Sequence, residues 1–466
     1  MEALTLSQVV QACDGRLRAG ADPHAHAQRV CTDSRQIQAG DIFFALEGER
    51  FDGHSFVAEA SKVGAVAVVV RCGKDVPASL SCGVVEVDDP RRALGLLATA
   101  YRARFSLPVV AVAGSNGKTS TKELIASVIG QAHEVLASEA SFNNDIGVPL
   151  TLLRLEQQHG VAVLEAGTNH PGELAPLLRM IQPAYGVLTC IGREHLEFFR
   201  NLEGVAQEEG WLAELLPSNG QLIVNGDDAW SSRVAKRTAA KVVQVGEGEQ
   251  NDWRLQNVKM DKEGIEFRAE GPSAALSGDY RIQLIGRHQA INALFAIHLG
   301  AEMGLSKGQI ERGLADCRPA KMRLQTWDLN GVGVVDDAYN ANADSVVAAL
   351  KTLVALPCKG RRVAVLGDMA ELGAHSEAAH LEVGQRAAEL GVDQVFAVGT
   401  MASQIARGAR AAGLNRVLEF AEIEGAAAAV KSFIRTGDLL LLKASRASRL
   451  ERVTGLLRNG GSGKTN

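Results

Sequence analysis

The chain has 466 residues, 46% hydrophobic and 22% charged, with 48 glycines and a net charge of −5; that length predicts about three domains, and the composition suits glycine-turned α/β domains with sizeable cores. Lys and Arg form no dense stripe, which argues against a nucleic-acid partner, and no apolar run approaches a membrane span in length. The seven cysteines are scattered and odd in number with no CxxC pair, which argues against a disulfide framework or zinc site; Met1-Glu2-Ala3-Leu4 lacks the basic and apolar regions of a signal peptide, so a cytoplasmic protein is expected.

In chain order, the first segment (1–106) alternates short apolar runs at 42–46, 66–70 and 84–87 with helical stretches, and carries a polar turn at Phe51-Asp52-Gly53-His54. The second (107–318) opens on Pro108 and an apolar run to Ala113, followed at once by Gly114-Ser115-Asn116-Gly117-Lys118-Thr119. Ser120 comes next in a helical pattern with apolar residues at Leu124, Ile125, Val128 and Ile129 and a stop at Gly130. A buried strand, a glycine-rich turn and a helix N-terminus in succession favour a polyphosphate. Lys118 can reach the outer phosphates, and the Thr119 hydroxyl can hold Mg²⁺. The full Walker pattern wants a further glycine where Val112 stands, so the loop is a short variant; the alternative is an ordinary strand-to-helix turn. Gly461-Ser462-Gly463-Lys464-Thr465 repeats the composition without a strand before it or a helix after it, and is read as a frayed polar tail.

Further along, apolar runs end at Glu165, lead to Gly192, and end at Asn225-Gly226-Asp227-Asp228. Val258 and Met260 face Ile265 and Phe267 across Asp261-Lys262-Glu263-Gly264, a small antiparallel hairpin. Arg318-Pro319 reads as a linker to the third segment (319–466). There, runs at 332–335, 363–366, 395–398 and 439–442 alternate with Ala-rich helical patterns, which predicts a Rossmann-like parallel sheet with ligands gathering beyond the strand carboxyl ends. Those ends carry Asp336-Asp337, Gly367-Asp368, Gly399 and Lys443. The expected fold is therefore α/β in three domains.

Strand-end carboxylates in a nucleotide domain commonly ligate metal, and Glu165 is either such a ligand or a solvated acid. His195 follows the next strand and has a metal-facing or a structural role. Asn292 begins an apolar helical run to Leu299, as a helix-start polar residue or an adenine contact. Asp336-Asp337-Ala338-Tyr339-Asn340-Ala341-Asn342 is a costly polar turn unless it binds something, and Arg323, Ser445 and Arg446 can grip phosphate or carboxylate.

On these motifs the whole chain resembles the Mur ligases, which assemble the peptidoglycan stem peptide. Thr32-Asp33-Ser34-Arg35, the stretch from Gly40 to Leu46 and Asp52-Gly53-His54 resemble the family's UDP-sugar-binding module, which implies substrate contacts at Ser34 and Arg35. The phosphate loop, Asn143-Asn144 with Gly147-Val148-Pro149, Glu165, His195 and Asn292 fall on motifs of the central ATPase domain. Asp337 to Asn342, Gly367-Asp368-Met369-Ala370-Glu371-Leu372-Gly373 and Lys443-Ala444-Ser445-Arg446 fall on the C-terminal ones. The resemblance implies an ATP- and Mg²⁺-dependent amide ligase working through an acyl phosphate. The Asn340-Ala341-Asn342 and Gly-Asp-Met stretches favour the branch that adds D-alanyl-D-alanine to UDP-N-acetylmuramoyl-tripeptide.

It also implies roles. Gly114 to Ser120, Asn292, Arg323 and Asp337 would contact ATP. One Mg²⁺ would lie on Thr119 and Glu165, another on His195 with Glu209 nearby. Asn143, Asn144, Tyr339, Asn340, Asn342, Ser445 and Arg446 would contact the other substrates. Alternatives within the fold are a meso-diaminopimelate or lysine adder or a folylpolyglutamate synthase, against which the UDP-type motifs speak; outside it, a non-catalytic nucleotide-binding scaffold. A monomer is expected. Three positions depart from the family: Ala343 replaces a proline, Ala444 a glycine, and Glu209 aligns with a lysine that is carbamylated in several members. Glu209 is then a ready-made carboxylate, or else Glu208 and Glu209 are solvated helix acids.

Overall fold

Valine-rich runs with no polar interruption can only be satisfied by burial on both faces, and the structure, a computed structural model, places them so. It describes residues 1–48, 51–77 and 79–459; the Gly461–465 stretch lies outside them. Among the described residues the middle domain is built on nine strands. Val109–Ala113, entirely buried, lies between Tyr185–Leu188 and Val161–Glu165, all parallel. Gln221–Asn225 and Lys241–Gly246 extend the sheet on one side and Val135–Ala137 on the other. The expected hairpin forms, with Trp253–Met260 antiparallel to Ile265–Glu270. It is not a separate region, however. Trp253 and Arg254 pair in parallel with Val245 and Gly246, and Gly278–Ile282 adds a third antiparallel strand, so the meander prolongs the main sheet.

In the third domain Gln325–Leu329, Val332–Asp336, Leu439–Lys443, Arg362–Gly367, Gln394–Val398 and Val417–Phe420 form one sheet in that spatial order, parallel except for the first strand. The first and last of these were not apparent as apolar runs, since each is an edge strand with exposed positions. The first domain carries a smaller sheet around Asp41–Phe44, Ala67–Arg71 and Gly83–Val87.

The first two domains are welded. Helix Pro90–Arg102 packs on Gly147–Leu152 and Leu174–Ile181, burying Leu94, Leu97 and Tyr101 in one cluster with Leu152, Leu155 and Ile181. Tyr101 Oη donates to the Leu155 carbonyl at 2.6 Å, and Arg102 Nε to that of Ile181 at 3.1 Å. Each large apolar side chain so buried is worth roughly 2 kcal/mol. None of the seven cysteines is in a disulfide, and no described helix is long and apolar enough to cross a membrane.

Candidate active site

Three neighbouring strands of the middle sheet end at the same edge, which brings together residues far apart in sequence. Val109–Ala113 feeds the phosphate loop, Val161–Glu165 ends in Glu165, and Tyr185–Leu188 leads to Thr189 through His195. Gly114 (φ 113°) and Gly117 (φ 85°) take left-handed conformations open to glycine. A side chain at Gly114 would also collide with Thr189 Oγ1. Helix Lys118–Ile129 starts immediately after Gly117. Ser115 N–H donates to the Cys190 carbonyl at 2.9 Å, and Ser115 Oγ accepts from Gly192 N–H at 2.8 Å, so loop and neighbouring strand end are one unit.

Carboxylates crowd this unit. Glu165, 1% exposed, accepts from Thr119 Oγ1 and from Asn143 Nδ2, both at 2.8 Å. Glu209 is fully buried and accepts from the Gly114 N–H at 2.8 Å, while its Oε1 has no partner. Burial first, then the charge of Glu194, pushes the Glu209 carboxyl well above the usual carboxylate range. Lys118 folds back onto the Gly114 carbonyl, with its Nζ 3.4 Å from Glu194 Oε2. Burial disfavours its charge, but Glu194, Glu209 and Glu165 together outweigh that and hold its pKa above the ordinary value. Glu208 serves the neighbouring helix instead, its two oxygens accepting from the N–H groups of Gly172 and Leu174 at 2.8 Å each, at the start of Leu174–Ile181. Neither glutamate is a solvated helix acid.

The third domain presents its own strand ends. Asp337 follows Val332–Asp336, and Lys443 ends the adjacent Leu439–Lys443. Lys443 Nζ, nearly buried, lies 2.8 Å from Asp337 Oδ2 and donates to the Asn340 carbonyl at 2.6 Å. That ion pair fixes the Asp337–Asn342 turn. Tyr339 carries the Arg323 guanidinium 4.3 Å from its ring centroid and bonds Ser141 of the middle domain through its hydroxyl. Asn342 N-caps helix Ala343–Ala355 in a reciprocal bond pair with Ser345, and its Nδ2 donates to Asn116 Oδ1 of the phosphate loop at 3.0 Å. His195, itself left-handed (φ 48°), meets Glu371 through Nδ1, and this contact holds the Glu371 carboxyl below its ordinary range. Between the two sets lies a cavity of about 530 Å³, lined among others by Lys118, Glu194, Asn292, Arg323, Asp337 and Asn340.

Family models agree with this architecture over three stretches: the Mur ligase catalytic domain at 26–102, the Mur ligase middle domain at 112–300 and the glutamate ligase domain at 322–446. The UDP-N-acetylmuramoyl-tripeptide–D-alanyl-D-alanine ligase of Escherichia coli strain K12 is 37% identical, over 99% of this chain and 100% of its own length. The chain belongs to the Mur ligase family. MurF from Acinetobacter baumannii matches its structure with a TM-score of 0.90 at 30% identity, covering 98% of this chain and 99% of its own. A MurF ligase from Thermotoga maritima, crystallised in complex with ADP, matches at 0.82 and 26% identity, over 93% and 97% of the two chains.

Within this Mur ligase, Ser115, Asn116, Gly117, Lys118, Ser120, Asn143, Asn144, Glu165, His195, Asn292, Arg323, Asp337, Tyr339, Asn340 and Asn342 gather around the one cavity, with Gly114, Thr119 and Glu209 beneath it. Asn292 does not start a helix. Gly286 (φ 99°) lets helix Arg287–Glu302 begin earlier, and Asn292 lies in its second turn against Gly117. Asn144 Oδ1 accepts from the Gly147 N–H at 2.9 Å at the head of Gly147–Leu152. Ser445 and Arg446 do not line the cavity: Ser445 is buried against Ser448, and Arg446 pairs with Glu451 at 3.3 Å while its N–H donates to Asn340 Oδ1. Ser34 and Arg35 are in the first domain, where Arg35 pairs with Asp33 at 2.7 Å. Glu194 and Arg193 are site residues that no local pattern singled out, while Lys443, a strand end, and Glu371, inside the Gly367–Gly373 motif, were marked without a role.

Thr119 Oγ1 and Glu165 Oε2 form a hard-oxygen donor pair that fits Mg²⁺. The tightest cluster of potential ligands among the described residues is elsewhere, at Glu47, Asp52 and His54 in the first domain. Lys74 Nζ already sits 3.0 Å from Glu47 and 2.9 Å from Asp52 there, and His54 spends both nitrogens, on Asp52 and the Arg71 N–H. That cluster carries its own cation and does not fit a metal.

Proposed function

We propose that the chain joins D-alanyl-D-alanine to UDP-N-acetylmuramoyl-tripeptide with hydrolysis of ATP, forming the pentapeptide precursor of peptidoglycan. The reading is carried by one observation: the phosphate loop and the Asp337–Asn342 turn line the same cavity from two domains. The full-length likeness to the Escherichia coli ligase supports it, and the ADP complex of the Thermotoga maritima relative supports a nucleotide on the loop. Domain boundaries near 106 and 318 fall between the matched stretches.

A carboxylate is a poor electrophile, because its charge repels the amine and oxide cannot leave. Transfer of the ATP γ-phosphoryl group to the tripeptide's terminal carboxylate gives an acyl phosphate, which the dipeptide amine attacks to release phosphate. Such transfer needs positioning and charge neutralisation rather than covalent help. Lys118 supplies a cation to the phosphates, and the N–H groups at the start of Lys118–Ile129 supply oriented dipoles. Asn292, Arg323 and Asp337 hold the nucleotide, and Tyr339 and Asn340 face the incoming dipeptide. Thr119 with Glu165, and His195 with Glu209 beneath the loop, would hold Mg²⁺, which would supply neutralisation of phosphate charge there. The His195–Glu371 and Asn116–Asn342 contacts close the cleft and keep water from the acyl phosphate.

Phosphate release in a reaction holding ATP, Mg²⁺, UDP-tripeptide and D-alanyl-D-alanine, with each omitted in turn, tests this. Release only in the complete mixture is expected. Release that ignores the dipeptide, or that follows another amino acid, overturns it.

A further inference from the structure

One buried acid plays no part in these steps. Glu194 is 5% exposed, lines the cavity and immediately precedes His195. Its Oε2 lies 3.4 Å from Lys118 Nζ and 3.9 Å from His195 Nε2. Its Oε1 is buried with no hydrogen-bond partner. An ionised carboxylate left so is costly unless a cation offsets it.

The neighbouring acids each accept hydrogen bonds from the protein. Glu165 bonds Thr119 and Asn143, and Glu209 bonds the Gly114 N–H. For Glu194 the compensating group is Lys118, yet Lys118 is also the loop's phosphate-binding cation and rests meanwhile on the carbonyls of Gly114 and Ser115. When a nucleotide phosphate draws that ammonium away, Glu194 loses its counter-ion in a site that has just gained negative charge. Beside it stands an imidazole already aimed: Glu371 takes His195 Nδ1, leaving Nε2 toward Glu194. A histidine oriented by a carboxylate on one nitrogen presents the other as a metal ligand, and carboxylate with imidazole suits Mg²⁺ or Mn²⁺.

We propose that Glu194 is an exchange ligand: it pairs with Lys118 in the nucleotide-free site and, with His195, takes a divalent cation once Lys118 turns to the nucleotide phosphates. This rests on the reading of the loop as a nucleotide site. It gives a role to a buried carboxylate that, without nucleotide, only ties down the lysine.

Mn²⁺ titration followed by electron paramagnetic resonance tests it, with and without the β,γ-methylene analogue of ATP. With the analogue, the parent takes up two Mn²⁺ per chain, and Glu194→Gln binds one of them at least tenfold more weakly while still binding the analogue. Without nucleotide, Lys118→Met, which frees Glu194, takes up Mn²⁺ at least tenfold more tightly than the parent, and Lys118→Met with Glu194→Gln loses that gain. Two equally tight Mn²⁺ in Glu194→Gln overturns the proposal, as does an unchanged Mn²⁺ affinity in Lys118→Met, which needs no folded Glu194 variant. A parent that binds no nucleotide analogue overturns instead the reading of the loop.

Discussion

At the residue scale, Glu209 and His298 show how burial gives a polar side chain a definite role. Glu209 offers the loop a carboxylate where the resemblance leads one to expect a lysine that needs carbon dioxide to acquire one. It bonds Gly114 and keeps one oxygen unpartnered under the loop. Ligation should therefore proceed equally in carbonate-free and bicarbonate-supplemented buffer, and Glu209→Gln should lower kcat and weaken the Mg²⁺ dependence together. A bicarbonate requirement in the parent, or full activity in the variant, counts against this. His298 is locked as a neutral ring: it accepts from Trp253 Nε1 at 3.2 Å and its other nitrogen meets Gln221 Oε1 at 2.9 Å. Burial lowers its pKa from 6.5 to about 4. At pH 7 folded and unfolded forms are both neutral; between pH 6.5 and 4 only the unfolded chain takes the proton, so native stability falls with pH. From pH 7 to 5 that loss is about 2 kcal/mol. Urea midpoints at the two pH values should show it in the parent and a smaller drop in His298→Gln; equal drops would mean that another group sets the slope.

At the element scale, the helix Ala343–Ala355 has a first turn with two separable jobs. Asn342 Oδ1 caps it by accepting from Ser345 N–H at 2.8 Å, while Asn342 Nδ2 reaches the phosphate loop. Asparagine-to-alanine changes at such a cap cost about 1 kcal/mol, whereas aspartate caps equally well but cannot donate. Asn342→Asp should thus keep the parent's unfolding midpoint and raise the KM for ATP, while Asn342→Ala loses on both counts. A rise in the KM for the dipeptide alone in both variants would return Asn342 to the substrate-contact role its motif implies. Elements like this one explain what was legible in advance. The phosphate loop, Glu165 and the Asp337–Asn342 turn announce themselves because strand, turn and helix are adjacent in sequence and each strand end carries its own polar residue. Glu194 and Arg193 gave no such sign, since their partners lie 76 and 151 residues away and meet them only in the folded chain. The start of helix Arg287–Glu302 was misplaced for a local reason: Gly286 and the polar residues after it hide the first turn, and the apolar run begins later.

At the scale of the whole molecule, the two domain junctions are made of different materials. The first and second domains share one apolar cluster that also takes in Tyr101 and Leu155. The second and third meet through polar groups across the cavity, namely Asn116 with Asn342, His195 with Glu371, His375 with the Arg200 carbonyl, and Arg193 with both Asp344 and Glu382, alongside an apolar contact of Ile285 and Met260 with the third domain's core. An apolar junction resists separation at any ionic strength, whereas half-exposed ion pairs are weak and screened by salt. The third domain is accordingly the one expected to open and close on substrates. Arg193 is its latch: Nη1 lies 2.6 Å from Glu382 Oε2, Nη2 2.6 Å from Asp344 Oδ1, and its own N–H donates to Asp344 at 2.8 Å. Because Gly192, next to it, holds Ser115 of the phosphate loop, closure and loop geometry are mechanically joined. Pairs this exposed contribute up to about 1 kcal/mol each, so Arg193→Ala, which removes two of them, should weaken nucleotide binding by up to about thirtyfold, with the effect shrinking as salt rises. Small-angle scattering should show a more extended particle for the variant in low salt and none of that difference for a variant at the welded junction. A double-mutant cycle with Glu382→Gln locates the coupling: non-additive losses in nucleotide affinity place the latch in the Arg193–Glu382 pair, while additive losses together with an unchanged scattering curve would show that closure rests on the Asn116–Asn342 bridge instead.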